Sequence, residues 1–383
     1  MSTMMVACGN VNFTHLSRYS HLSERTIRRH YHRGLGLESL NQALMASCTS
    51  PQNVQILAVD ATFVSKSGRH TDGLDQFYNS KSGRAEKGVE WSVIAVVDVE
   101  QNTAYSLSAQ QTPAGLSTSS QPQPSDESSP SGNRLDFYLG YLADTQPYVP
   151  ESITYVVADR YYSKRKWVCG VRKLGWHCIG KLRRDAALKH LYEGPQKRRG
   201  RPRLYEGKVN VHDPSRLEWV AQVDEHTQFY TAVVYSVSFK GRVRLAYVQY
   251  TRKGHERYML LFSTDLSLDA MSLYRYYQAR FQIEFVFRDA KQCLGLADAQ
   301  ARSEVALDTH VNVCLSALNL LKADLRRGHS LSEPLSFSVA SYKRRALNEH
   351  LLNRFSAELG ISLKWIKSRL AYRKLLDYGT IAA

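Results

Sequence analysis

The chain has 383 residues, of which 43% are hydrophobic, so it can bury a substantial core and divide into two or three units. Its 51 lysine and arginine residues against 35 acidic residues give a net charge of +16, which favours a polyanionic partner such as nucleic acid. No apolar run approaches the roughly 20 residues that cross a bilayer, and MSTMMVACGN lacks the pattern of a signal peptide. We therefore expect a cytoplasmic protein with no membrane partner. The six cysteines form no C-x-x-C pair, which excludes the usual zinc pattern.

Residues 13–33 predict two short helices that meet around residues 20–23, with Ser23 as the N-cap of the second. This is the outline of a helix-turn-helix. The second helix carries arginines that could contact DNA phosphates or base edges, namely Arg25, Arg28 and Arg29. Any short basic helical hairpin has the same pattern, and that alternative is equally weighted. We assign residues 1–50 to an N-terminal DNA-binding region.

From residue 54 the pattern changes to β-strands. VQILAVDATFV, VEWSVIAVVDV and TAYSLSAQ are rich in β-branched and aromatic residues and predict three strands of a meander. The polar segment 67–88 between the first two is predicted as a loop, and residues 111–133 form an irregular Pro/Ser/Gln-rich stretch. Helical RLDFYLGYLAD then leads to a fourth strand, SITYVVAD. A strand reached through a helix indicates a parallel neighbour, so the sheet should be mixed.

The basic and strand-like segment 184–258 interrupts this domain. LEWVAQV, FYTAVVYSVSF and VRLAYVQY predict an inserted antiparallel β unit. The core should therefore comprise residues 51–183 and 259–325, followed by a helical region over 326–383. The predicted fold class is α/β: a mixed sheet flanked by helices, interrupted by an antiparallel β insertion, with helical N- and C-terminal regions.

Three carboxylates stand out as candidate metal ligands. Asp60 lies in the apolar strand ILAVDATFV, where an unpaired carboxylate is costly to bury, and Asp159 ends the apolar run ITYVVAD at the edge where open α/β sheets bind ligands. Glu284 offers a third carboxylate from a helix. Together they would suit two magnesium or manganese ions, which can bind both the attacking and the leaving oxygen of a phosphodiester. Each of the three alone could equally form a salt bridge or a helix cap.

The helix predicted for YQARFQIEFVFRDAK, residues 277–291, has two faces. On a helical wheel its polar groups fall within a sector about 60° wide, while a neighbouring apolar stripe should pack on the core. These polar groups are Tyr277, Arg280, Glu284 and Lys291. A solvated charged face is the alternative interpretation.

The spacing Y-x2-R-x3-E-x6-K resembles the signature of the DDE transposases of bacterial insertion sequences in the IS-four-like group. The succession LAVDATF, VVADRYYSKRK, FSTDLSL and the signature helix is similar to the same group over roughly residues 54–325. One departure is that Asp159 precedes Arg160 and two tyrosines, where the group often has glycine and an aromatic residue. The resemblance implies an RNase H-like catalytic domain with a β insertion between the second and third acids.

By this resemblance, Asp60, Asp159 and Glu284 form the catalytic, metal-binding triad. By the same resemblance, Tyr277, Arg280 and Lys291 would hold phosphates of the element's end. Arg160, at the departure from the group's pattern, and Arg288, on the same helix, are further candidate DNA contacts. Hairpin-forming relatives stack an aromatic residue of the insertion on a flipped base, and Trp219 is the nearest candidate, although a core role is more common for such a residue. Within the basic segment 181–208, Arg199 and Arg201 of RGRP could enter an A·T-rich minor groove, with a flexible basic loop equally weighted.

The implied function is cut-and-paste transposition. The protein would bind the terminal inverted repeats of its element, cleave them by metal-dependent hydrolysis and join them to target DNA by transesterification. Partners would be double-stranded DNA at the element's ends and target, and a second copy of the chain in a homodimer on DNA, which places the protein at the nucleoid. Two alternatives stay open: an RNase H-fold nuclease without strand transfer, and an inactive transposase-derived DNA-binding regulator.

Overall fold

The computed structural model describes residues 1–117, 132–252, 255–331, 333 and 338–381. Most of the Pro/Ser/Gln-rich stretch predicted at 111–133 lies outside these residues. The described residues form one sheet of twelve strands together with twelve α-helices. The helices are α1 Ser2–Val6, α2 Phe13–Arg18, α3 Glu24–Tyr31, α4 Glu38–Ala46, α5 Arg134–Thr145, α6 Arg165–Lys173, α7 Ala270–Ala279, α8 Gln282–Cys293, α9 Glu304–Arg326, α10 Val339–Glu358, α11 Leu363–Lys367 and α12 Leu370–Leu376.

The first half of the sheet is mixed, as predicted. β1 (Gln55–Ser65), β3 (Arg84–Asp98) and β4 (Thr103–Gln111) form an antiparallel meander in which β3 pairs with both of the others. β5 (Tyr155–Ala158) runs parallel to β1, and β6 (His177–Lys181) runs parallel to β5. The connection from β4 to β5 contains α5, and the connection between the parallel neighbours β5 and β6 contains α6, because parallel neighbours need a long connection.

The second half is the predicted antiparallel insertion. β12 (His255–Ser263) pairs with β6 and carries the sheet on to β11 (Gly241–Arg252) and β10 (Thr227–Ser236). β9 (Glu218–Asp224) and β7 (Leu188–Leu191) pair with different parts of β10, and β8 (Tyr205–Lys208) pairs with β7. The strands β7 and β8 lie in the basic segment and were not predicted, because they have only four residues each and little apolar alternation.

The loop predicted at residues 67–88 is wrong in part. The structure has a further strand there, β2 (Asp75–Asn79), which forms a hairpin with the start of β3. The Phe77 side chain is buried beneath the guanidinium of Arg134, 4.6 Å from its ring centroid. A single aromatic residue in a polar stretch gives no period-2 signal, so sequence patterning misses the strand.

Helices cover both faces of the central sheet. Along β1, Ile56 and Ala58 pack with α7, α8 and α9, whereas Leu57 and Val59 pack with α5 and α6. This explains the unbroken apolar run in β1, since alternate side chains enter two different cores. The predicted α/β fold class with its mixed sheet, β insertion and helical ends is confirmed.

The terminal helices pack onto the same body. In the N-terminal hairpin, the Ser23 hydroxyl accepts a hydrogen bond from the backbone N–H of Thr26 at 3.2 Å, which confirms it as the N-cap of α3. The buried Phe13, Ile27 and Tyr31 join the core that contains α9. In the part of the chain that the structure describes, no helix combines the length and apolar character needed to cross a membrane. The division into five regions proposed from the sequence stays a prediction.

Candidate active site

Asp60 and Asp159 lie side by side on the two central parallel strands. β1 and β5 pair with Val59 opposite Ala158, so the next residue of each strand is an aspartate. Neighbouring strands are about 4.8 Å apart. By alternation, Asp60 shares the face of Ala58, and Asp159 shares the face of Val157, which is the face covered by α7 and α8. Both aspartates are therefore directed to the same side of the sheet.

Local hydrogen bonds fix both carboxylates. Asp60 accepts a hydrogen bond from the backbone N–H of Ala61 at 2.8 Å. Asp159 caps a short 3-10 turn, Arg160–Tyr162, by accepting from the backbone N–H of Tyr161 at 2.8 Å. Asp159 therefore acts as a cap, as the alternative interpretation allowed, and also lies beside Asp60.

The third carboxylate comes from a helix that is not continuous. The helix predicted over 277–291 is interrupted: α7 ends at Ala279, residues 280 and 281 form a turn, and α8 begins at Gln282. Across the break, the N–H of Ile283 donates to the carbonyl of Arg280, an i to i−3 contact. The apolar stripe is nevertheless as predicted. Its buried members are Ile283, Val286, Phe287, Ala290 and Leu294.

Arg280 joins the carboxylates of strand and helix. Its Nη1 donates to Asp60 Oδ2 and its Nη2 donates to Glu284 Oε1, each at 3.0 Å. The Arg280 side chain is only 10% exposed, against 20% for Asp60 and 41% for Glu284. The guanidinium also lies over the ring of Tyr277, 5.8 Å from its centroid. Three of the four signature residues, Tyr277, Arg280 and Glu284, therefore meet at the Arg280 guanidinium, which also contacts Asp60.

The electrostatics follow from this clustering. Burial raises the pKa of Asp60 to about 7; Arg280 opposes the rise, while Asp159 and Glu284 add to it. Burial likewise raises the pKa of Tyr277, against the effect of Arg280, so its phenol keeps its proton at neutral pH. Two or three carboxylates close together repel one another, and a single guanidinium offsets only part of that repulsion.

The donor set suits a hard divalent cation, since three carboxylates offer only oxygen ligands. The arrangement described, however, is closed by Arg280, whose guanidinium lies where a cation would neutralise Asp60 and Glu284. Across the described ranges, no three His, Cys, Asp or Glu side chains stand close enough together to hold a metal ion. A metal ion at these residues would compete with Arg280 for Asp60 Oδ2 and Glu284 Oε1.

Lys291 takes a different position from the other signature residues. Its Nζ donates to the carbonyl of Phe63 on β1 at 2.7 Å, three residues beyond Asp60. Burial lowers the pKa of Lys291 to about 8, with a contribution from Lys81. The helix break separates Lys291 from Tyr277, which explains why the single-helix wheel misplaces it.

Two cations that the sequence reasoning missed lie near Arg280 and Asp159. Lys181, the last residue of β6, has its pKa lowered by burial and by the nearby charges of Arg160, Arg184 and Arg280. Lys164 lies near Asp159 and over the ring of Tyr161, 4.2 Å from its centroid. Lys181 opens the basic segment 181–208, but composition alone could not distinguish it from the other cations there.

The remaining predicted DNA contacts are dispersed over the surface. Arg25, Arg28 and Arg29 are exposed on α3, although Arg28 pairs with Glu24 at 2.6 Å. Arg199 and Arg201 are exposed in the connection between β7 and β8. Arg288 pairs with Asp289 and lies over Phe285, and Trp219 on β9 is 60% exposed rather than in a core. None of these contacts the carboxylate cluster through a hydrogen bond or ion pair within the described residues.

A mixed sheet that carries aspartates on two adjacent strands, beside a helix-borne glutamate, is typical of carboxylate-dependent nucleases. The family model described as DDE superfamily endonuclease matches residues 37–237, which is more than half of the chain and includes Asp60 and Asp159 but not Glu284. The chain belongs to the DDE superfamily endonucleases.

Other comparisons are weaker. No curated protein sequence matches the chain. Among solved structures, the chain is similar to the piggyBac transposase in a synaptic complex with hairpin DNA, determined by cryo-EM, with 9% identity and a TM-score of 0.37. The similarity covers 89% of this chain and 61% of that one, so this chain spans less than two thirds of the transposase.

Proposed function

We propose that this endonuclease is a transposase of the IS-four-like group that binds the ends of its element, cleaves them and joins them to target DNA. The observation that carries the proposal is that one buried arginine, Arg280, pairs with both Asp60 and Glu284, which are far apart in the chain, while Asp159 follows the strand that lies beside Asp60. A purely structural ion pair would need only one carboxylate. A third carboxylate beside the pair raises the energy of the unliganded fold and is typical of a functional site.

Asp60, Asp159 and Glu284 would hold magnesium or manganese, in the two-ion arrangement inferred for this group. When bound, such ions make water a stronger nucleophile and neutralise charge on the phosphodiester. The three residues would supply oxygen ligands from rigid elements. Asp60 and Asp159 come from the paired strands β1 and β5, and Glu284 comes from the first turn of α8. Rigid elements hold such groups more precisely than loops do.

Arg280 would have two roles: it would neutralise the carboxylates when no cation is bound, and it would bind a phosphate of the incoming DNA. In the structure it neutralises Asp60 and Glu284, and its Nε is buried without an acceptor in the described chain. An incoming phosphate offers acceptors for a guanidinium, so DNA and cation together could open the ion pairs. Tyr277, which keeps its phenolic proton, would donate a hydrogen bond to the same strand, and Arg160 and Lys181 would contact its phosphates.

The alternatives differ from this proposal in their chemistry. A nuclease of the same family would hydrolyse the ends but form no joined product. A regulator would bind DNA whatever stands at position 60. Exposed Trp219 would stack on an extruded base if the ends form hairpins. A homodimer on DNA would allow both ends to be cut together.

The test uses a plasmid that carries the DNA flanking the coding region, incubated with the purified chain and magnesium. We expect excision and joined products with the wild type, and loss of cleavage with end binding retained in Asp60→Asn, Asp159→Asn and Glu284→Gln. The matched control is Asp136→Asn, an exposed carboxylate paired with Lys166, which should cleave normally. Normal cleavage by any of the three site variants would refute the site assignment. Hydrolysis without joining would favour the nuclease.

A further inference from the structure

A second site lies at the far end of α8. A cavity of about 530 Å³ lies between three segments: residues 5–10 at and after the end of α1, residues 291–298 at and after the end of α8, and the first turns of α10. Its lining does not include Asp60, Asp159 or Glu284. Lys291 lies seven residues after Glu284, so the cavity begins about 10 Å along the helix from the candidate active site. Residues 8–10 and Arg344 are exposed, which leaves the cavity open to solvent.

The cavity collects positive charge. Lys291, Lys343 and Arg344 line it, with Asp298 as the one carboxylate among its lining residues. Asp298 already accepts a hydrogen bond from the backbone N–H of Val11 at 2.7 Å. Within the described ranges none of the three cations forms a salt bridge, and Arg344 donates no hydrogen bond. The lining therefore has a net charge of +2 with protonated lysines.

Two of these cations are partly removed from water. Lys343 Nζ donates to the carbonyl of Cys293 at the end of α8, and Lys291 Nζ donates to Phe63. An ammonium has three N–H donors, so each lysine has two to spare. Burial lowers the pKa of Lys343, in keeping with an ammonium that lacks a full ionic partner. A cluster of like charges in a partly desolvated cavity is unfavourable unless an anion joins it.

We propose that this cavity binds phosphates of the DNA strand that leaves the candidate active site, with Lys343 and Arg344 of α10 as ligands beside Lys291. The inference rests on the proposed function, because it takes the DNA as already bound at the carboxylates. At 3.4 Å of axis per nucleotide, about 10 Å corresponds to roughly three nucleotides from the cleaved bond. The C-terminal helical region thereby becomes part of the DNA-binding surface, without any sequence-reading role.

The test measures DNA affinity against salt, because each phosphate contact contributes about 0.9 to the slope of log K against log salt. A short labelled duplex is titrated by fluorescence anisotropy with the wild type, Lys343→Gln and Arg344→Gln. A glutamine side chain can still donate a hydrogen bond to the Cys293 carbonyl, so Lys343→Gln removes the charge and keeps this hydrogen bond at the end of α8. Each variant should reduce the slope by about 0.9, and Lys343→Arg should restore it. The control is Arg345→Gln, which removes the same charge from the next residue, outside the cavity and paired with Asp377 at 3.4 Å.

The outcomes separate this inference from the proposed function. If the wild type binds and cleaves DNA, but the salt slopes of Lys343→Gln and Arg344→Gln equal that of Arg345→Gln, the phosphate site alone would be overturned. A wild type that binds no duplex would overturn both. Calorimetry with inorganic pyrophosphate tests whether the cavity binds a free phosphate compound instead of DNA. If pyrophosphate binding requires Arg344 while the salt slope of duplex binding is unchanged in the cavity variants, the cavity would be assigned to that compound and the DNA assignment would be overturned.

Discussion

The substitution Asp308→Asn should stabilise the protein at neutral pH. Asp308 on α9 ties the helix to the sheet: its Oδ1 accepts from Trp91 Nε1 at 2.7 Å and from the backbone N–H of Gln111 at 3.1 Å. Burial raises its pKa to about 6, and the hydrogen bond from Trp91 only partly offsets this. An asparagine oxygen can accept the same two hydrogen bonds without carrying charge.

The magnitude follows from linkage. Because the folded pKa of Asp308 lies above the unfolded value of 3.8, its contribution to stability is fully present below pH 3.8 and is lost as pH rises through 6. A difference of roughly two units corresponds to about 3 kcal/mol at neutral pH, as an upper limit. Asparagine does not titrate, so the variant should gain up to that amount at pH 7 and little near pH 4.

Urea unfolding at both pH values provides the assay, with Asp136→Asn as the control for removal of an exposed carboxylate. The control should differ from wild type by less than about 0.5 kcal/mol. A gain for Asp308→Asn that is the same at both pH values, or a loss at pH 7, would refute the reasoning.

Two further predictions concern the same body of the protein. Burial lowers the pKa of His310 to about 4, so its contribution to stability is present above pH 6.5 and is lost as pH falls through 4, by about 3 kcal/mol. His310→Gln, which can still donate to the Gly295 carbonyl, should flatten that loss in urea titrations at pH 6.5 and 4.5; an equally steep loss in the variant would contradict it. Gly88→Ala should cost about 2 kcal/mol or more, because a Cβ there would lie 2.4 Å from the backbone oxygen of Val64. In the contrasting variant Gly140→Ala, on α5, the added Cβ would have no other atom within 4 Å, so it should stabilise the protein by about 0.5 to 1 kcal/mol. Equal shifts of the urea midpoint in Gly88→Ala and Gly140→Ala would contradict the structure.

Local pattern was sufficient for much of the architecture. The apolar runs before Asp60 and Asp159 identified the central strands, and the helical crossover identified them as parallel neighbours. Ser23 was recognisable as an N-cap, and the stripe on α8 was recognisable as a buried face. These features depend on residues close in sequence, where side-chain periodicity and capping chemistry act directly.

Only the tertiary structure determined which side chains contact one another at the two candidate sites. The break after Ala279 turns Arg280 toward both Asp60 and Glu284, and no periodicity reveals which carboxylate an arginine will meet 220 residues away. Lys291 instead reaches the backbone of β1, and Lys343 joins it across a cavity formed by three distant segments. Charge pairing and desolvation depend on distances through space, whereas a sequence pattern specifies only which face of a helix or strand a side chain occupies.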